Sequence, residues 1–348
     1  MNVALMLILA KMDRRPDMKR TWLAIALLIS LGLAIAGMNW RPFQPSSVTP
    51  NAPRYELAAE SSGAESFRVN RERLLADLQA LSVERFELGD RRRARDYITS
   101  ALVKAGWTVQ LQPFEAGVNI LAERPGSDPA AEKILLAAHY DSVQRSPGAD
   151  DNATGVATVL ETARLLANST APRALQLALF DLEEAGLLGS NAFAADPAQL
   201  ETLGAAIVLD MVGYSCDPAG CQQYPAGLPI PPVSDRGLFL AGLGDQGHLP
   251  LLNALQQAMR PPLPPVIGLP IPLAGALTPD LVRSDHAVFW DKGIGALLVT
   301  DTANFRNPNY HQPTDTFSTV NPDFFIGSAQ IVVNTIHTLL NTQGNLAT

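Results

Sequence analysis

The sequence predicts an α/β domain with a mixed, largely parallel central sheet flanked by helices. Three observations carry this. Four short apolar runs, at 134–138, 175–180, 205–209 and 296–299, have the continuous hydrophobicity of strands buried on both faces. Between the first two lies 153–166, where Val156, Val159, Leu160, Ala163 and Leu166 recur at helical spacing, so strand, helix and strand form a βαβ unit. Each run is also followed by a polar, potentially metal-ligating segment, as expected where strand ends meet a ligand.

The chain begins before that domain. Arg14, Arg15, Lys19 and Arg20 precede an uncharged run at 22–40. Its length is close to the roughly 20 residues that span a bilayer. The basic flank places residues 1–20 in the cytoplasm and exports the remainder of the chain. Residues 21–40 read as a transmembrane signal anchor, with a cleaved signal peptide as the competitor, because Ala34-Ile35-Ala36 has the small-x-small form of a cleavage site. Residues 41–65 are rich in Pro, Ser, Ala and Asn and read as a linker. The remaining domain is then 66–348, either held at the membrane or secreted.

Within it, 67–81 and 90–105 look helical, and 107–114 and 118–122 look like strands. Asn152 is suited to cap the helix after it. Two proline-rich stretches, 224–232 and 261–272, read as loops over the rim of a site. Cys216 and Cys221 have no second pair to complete a zinc cage; they read as a local disulfide if the domain is exported.

A net charge of -8 argues against a nucleic-acid partner. The residues after the strands point to a metal centre: His139 and Asp141 after the first, Asp181, Glu183 and Glu184 after the second, Asp210 after the third, and Tyr310 with His311 in the loop after the fourth. Histidines and carboxylates suit zinc. An acid from Asp150-Asp151 can bridge two ions, and two ions about 3.5–4 Å apart can hold a hydroxide and polarise a scissile carbonyl. Glu183 and Glu184 are adjacent and point apart, so one can bind metal while the other serves as general base. Asp141 is placed to accept the second imidazole N–H of His139. Asp150 reads as solvated, Asp181 as a strand cap, Ser284 as a helix cap, and His286 as a packing or supporting residue. His248 and His337 read as ordinary histidines, and Tyr310 as packing.

The segments His139-Tyr-Asp-Ser, Gly148-Ala-Asp-Asp-Asn-Ala-Thr-Gly155, Glu183-Glu-Ala-Gly-Leu-Leu-Gly-Ser190, Leu209-Asp-Met, Ser284-Asp-His-Ala and Tyr310-His-Gln-Pro-Thr-Asp-Thr316 together resemble metallopeptidase family 28, the di-zinc aminopeptidases and their relatives. The resemblance runs from about 66 to 343. It implies a zinc-dependent exopeptidase of the phosphorylase/hydrolase-like fold, acting on peptides with two zinc ions per chain. One ion would be held by His139 and Asp210, the other by Glu184 and His311, with Asp151 bridging and Glu183 as base. It also implies a cis peptide bond between Asp151 and Asn152. A carboxypeptidase, a glutaminyl cyclase of the same fold, and a non-enzymatic ectodomain are the alternatives. Oligomeric state is not legible.

Overall fold

In the computed structural model, the described residues are 67–226, 228 and 231–347. The expected anchor and the whole of the expected linker therefore lie outside the described residues. Among those described, no helix is long and apolar enough to cross a membrane.

Eight strands form one sheet: β1 (Val109–Pro113), β2 (Val118–Arg124), β3 (Lys133–His139), β4 (Leu175–Phe180), β5 (Leu203–Leu209), β6 (Leu240–Asp245), β7 (Val266–Ile271) and β8 (Gly295–Thr300). Their order is β1-β2-β4-β3-β5-β8-β6-β7. The centre, β4-β3-β5-β8, is parallel, as is β6 with β7. β1 with β2, β2 with β4, and β6 with β8 are antiparallel. The four apolar runs are β3, β4, β5 and β8, and every residue of β3, β4 and β8 is buried.

Alternate strand residues face opposite sides. Ile134, Leu136 and Ala138 pack on one side, where α1 (Arg71–Leu81), α2 (Leu88–Lys104), α3 (Gly155–Leu165), α6 (Leu249–Ala258) and α8 (Pro322–Asn341) cover the sheet. Leu135 and Ala137 face the other side, which receives Phe193 of α4 (Leu188–Ala194), Leu200 of α5 (Pro197–Leu200), and Phe289 and Trp290 of α7 (His286–Asp291). These three helices are short, and this uneven cover leaves room for a pocket over β6, β7 and β8.

Helix starts follow the side chains that satisfy their free N–H groups. Asn70 accepts from the Arg73 N–H, and Asn321 from those of Asp323 and Phe324. Asn152 does accept the Gly155 N–H at 3.0 Å, although α3 proper begins at Gly155, after a π-type turn at Ala149–Thr154.

Two expectations fail here. The stretch 261–272 is not all loop, because β7 occupies Val266–Ile271. It is an edge strand pairing only with β6, where Pro270 is tolerated because one side of the strand carries no ladder bonds. Ser284 does not cap α7 with its side chain. Its carbonyl accepts the Ala287 N–H, while its buried hydroxyl finds no partner. In the other proline-rich stretch the described residues form neither helix nor strand. Cys216 and Cys221 are disulfide-bonded.

Candidate metal centre

The carboxyl ends of the parallel strands deliver the predicted residues to one place. His139 closes β3, Asp210 follows β5, and Glu183 and Glu184 lie just beyond β4. His139 Nε2 lies 3.3 Å from Asp151 Oδ1 and 3.6 Å from Asp210 Oδ1. His311 Nε2 lies 3.2 Å from Asp151 Oδ2 and 3.0 Å from Glu184 Oε2. Asp151 thus gives one oxygen to each of two trios, His139/Asp151/Asp210 and Asp151/Glu184/His311. Within each trio the donor atoms lie within 4.8 Å of one another, close enough to hold a metal ion.

The donors fit cations. His139 Nε2, His311 Nε2 and Glu184 Oε1 are buried and have no hydrogen-bond partner, which is costly unless something else satisfies them. Burial, and after it the charge of Asp151, pushes the Glu184 carboxyl up to about 7. Burial alone would depress His311, but Asp151 and Glu184 outweigh it and raise the imidazole to about 10. Burial also works against the Asp151 carboxylate, yet the two histidines hold it below the usual carboxylate range. Such a cluster holds more negative charge than its own histidines balance, and bound cations invert that logic.

Several residues of the trios are held from behind. His139 Nδ1 lies 3.3 Å from Asp141 Oδ1, the partnership expected from their spacing. Asp141 also accepts the backbone N–H groups of Glu183 and Glu184, at 3.1 and 3.2 Å, so it ties the glutamate turn to the histidine. The Asp151–Asn152 bond is cis. Asn152 further donates to the Leu209 carbonyl and accepts from the Met211 N–H, fixing Asp151 against the end of β5.

Several supports were not legible. Asp150, expected in solvent, is fully buried; it accepts from the Gly213 N–H and from Asn307 Nδ2. Its neighbour Asp151 faces the two trios, while its own side chain turns inward and braces the loop. Asp315 accepts the N–H groups of both Asp150 and Asp151 at 3.0 Å, and burial lifts it to about 7. Arg85 is fully buried and donates to the carbonyls of Val83, Tyr140, Pro147 and Gly148, with a further short bond to Leu81. Gly148, at φ 59°, must be glycine: a Cβ there would lie 2.4 Å from the Asp151 carbonyl oxygen. Left-handed backbone occurs at Leu182, Met211 and His311, beside or within the trio segments, and no sequence pattern marks it.

Asp181 braces the start of β2, accepting from the Val118 N–H, and pairs with Arg91 at 2.8 Å. Tyr310 stacks on His311 with ring centroids 3.8 Å apart, so its packing is against a residue of a trio. His286 is buried and bonded to the Leu281 carbonyl, not among the trios. His248 bonds to Asp245, and His337 packs on Phe67.

Beside the trios opens a cavity of about 460 Å³, walled by Tyr224, Leu228, Phe239, Leu281 and Val282 and reaching Glu183, Glu184 and Asp210.

The model of peptidase family M28 matches residues 119–336. The chain belongs to peptidase family M28. It is therefore a metallopeptidase, a hydrolase. It is 34% identical over 274 residues to uncharacterized protein YfbL of Escherichia coli, covering 72% of this chain and 80% of that one. It is 32% identical over 179 residues to leupeptin-inactivating enzyme 1 of Streptomyces exfoliatus, covering 46% of this chain and only 40% of that enzyme. The fold superposes on BSAP, a zinc aminopeptidase from Bacillus subtilis, with a TM-score of 0.62 and 14% identity, covering 81% of this chain and 98% of that one.

Proposed function

We propose that the protein is a zinc-dependent aminopeptidase that holds two zinc ions. The observation that carries this reading is the Asp151 carboxylate, whose two oxygens face two separate trios of donors. His139 and Asp210 complete one site, Glu184 and His311 the other. Bound there, the ions would supply Lewis-acid polarisation of the scissile carbonyl and a more acidic water.

The chain itself supplies proton transfer and orientation. Glu183 belongs to neither trio and lines the cavity. Burial holds its carboxyl well above the usual range, with Asp285, Asp210 and Glu184 adding to the effect against the opposing charge of His139. A carboxyl so placed is suited to take a proton from water and return it to the leaving amine. Asp141 fixes the direction of both glutamates through their backbone, so Glu183 points to substrate while Glu184 points to metal.

We also read the domain as exported. The support is the Cys216–Cys221 disulfide, a bond typical of oxidising compartments, together with the basic flank and apolar run of the N-terminal segment. The peptidase reading is tested by metal analysis of the purified protein and by hydrolysis of aminoacyl p-nitroanilides with and without chelator. Close to two zinc ions per chain and chelator-sensitive release are expected. Full activity in a metal-free preparation would overturn the reading.

A further inference from the structure

The cavity beside the trios is a groove with regular ribs. β8, β6 and β7 are neighbours, and their registers put Thr300 opposite Ala241 and Ala241 opposite Ile267. The next row is Leu298, Leu243 and Leu269. All six line the cavity, on the sheet face that only short helices cover. The rows begin at β8, next to the Asp210 end of β5, and run outward to the sheet edge. From β5, whose end carries Asp210, to β7 at the edge there are three strand spacings of about 4.8 Å, a reach of about 14 Å. That exceeds any single amino-acid side chain and suits a linear chain of roughly ten carbons. The 460 Å³ volume is that of a pocket for a whole small molecule, a class spanning about 300–1,000 Å³.

Along the ribs the chemistry is equally one-sided. The ribs carry no charge. Beyond the residues of the metal centre, the acid among the lining residues is Asp280, which lies at the rim 4.0 Å from Arg283. An ammonium group would therefore find no partner along the ribs. Val233, which lines the groove, is 39% exposed. An exposed apolar group in the lining of an apolar groove is a surface an amphiphile meets on entry.

We propose that this groove binds a linear acyl chain, and that the enzyme hydrolyses amides whose acyl part is a medium- to long-chain fatty acid. The inference rests on the metallopeptidase reading, since it uses the same reacting centre. Water adds to the amide carbonyl carbon, the C–N bond breaks, and Glu183 carries the proton from the water to the leaving nitrogen. The products are a fatty carboxylate and a free amine, and water is the only co-reactant.

The test uses the zinc-loaded full chain and a series of N-acyl-alanines with acyl chains from acetyl to dodecanoyl, with alanine and leucine p-nitroanilides as comparators. The value of kcat/KM should rise roughly three- to fourfold per added methylene until the groove is filled at about ten carbons. Dodecanoate should bind the protein in calorimetry. Ile267→Trp, at the far end of one rib, should cut off the rise after about six carbons and weaken dodecanoate binding about tenfold or more. A flat series alongside metal-dependent hydrolysis of the p-nitroanilides overturns the acyl-chain proposal and leaves the peptidase reading standing. Loss of all hydrolysis together with no dodecanoate binding overturns both.

Discussion

The two halves of the site are built on opposite plans. At the ends of β3, β4 and β5, polar side chains are buried, and several are braced by backbone N–H groups: Asp141 holds the glutamates, Asp315 holds Asp150 and Asp151. Over β6, β7 and β8 the wall is apolar, and irregular segments close it in place of long helices. A reacting centre needs its atoms fixed to a fraction of an ångström, and buried hydrogen-bonded groups deliver that. A selecting wall needs shape and dryness, which many residue combinations provide. The first plan tolerates little substitution, whereas the second can be rebuilt by changing loops.

The contrast can be broken at several strengths. Chelation should act most strongly, abolishing hydrolysis and restoring it on addition of zinc; activity that survives complete demetallation removes the basis of the polar half. Next comes the glutamate pair. Glu183→Gln should keep zinc while kcat falls by roughly 10²–10⁴, the usual worth of general acid–base help. Glu184→Gln should instead lose zinc and respond to added metal. If zinc analysis gives the reverse pattern, the two roles are exchanged.

Arg85→Met probes the bracing. It strips donors from buried carbonyls of Tyr140, Pro147 and Gly148, at about 1–3 kcal/mol for each group left unsatisfied. Urea unfolding should show a loss of about 3 kcal/mol or more, with weaker zinc retention, because the loop it holds carries Asp151. Unchanged stability would mean that the loop holds itself. The smallest effect belongs to the selecting half. Cys216→Ser with Cys221→Ser opens a short loop and should cost on the order of 2 kcal/mol. Zinc content should stay the same, and a drop in it would show that the two halves are not separable in this way.

The same contrast explains which parts were legible in the sequence. That His139, Asp151, Glu184, Asp210 and His311 come together could be read because His139, Glu184 and Asp210 close or follow buried strands, and Asp151 and His311 stand in segments with a recognisable order. The buried runs of β3, β4, β5 and β8 could be read because strands covered on both faces leave no polar alternation. β6 escaped because its glycines, Gly242 and Gly244, dilute the apolar run; a Cβ at either would meet α6 at Leu255 or Leu252. β7 was hidden by Pro270, whose meaning depends on its being at an edge. Asp150 and Arg85 defeat composition altogether. Their burial follows from backbone groups brought close only by folding, and no local pattern announces that.

His139 stands near the start of the catalytic segment and His311 near its end, and Asp151 joins them. An unfolded chain therefore offers no such site, and any metal affinity it has belongs to scattered side chains. By mass action, an ion that binds the native state alone raises the free energy of unfolding by RT ln(1 + [L]/Kd). At a free ion concentration about a hundredfold above Kd, that is about 2.7 kcal/mol for a single site. The melting temperature of this protein thus becomes a titration curve for its metals, readable without any substrate.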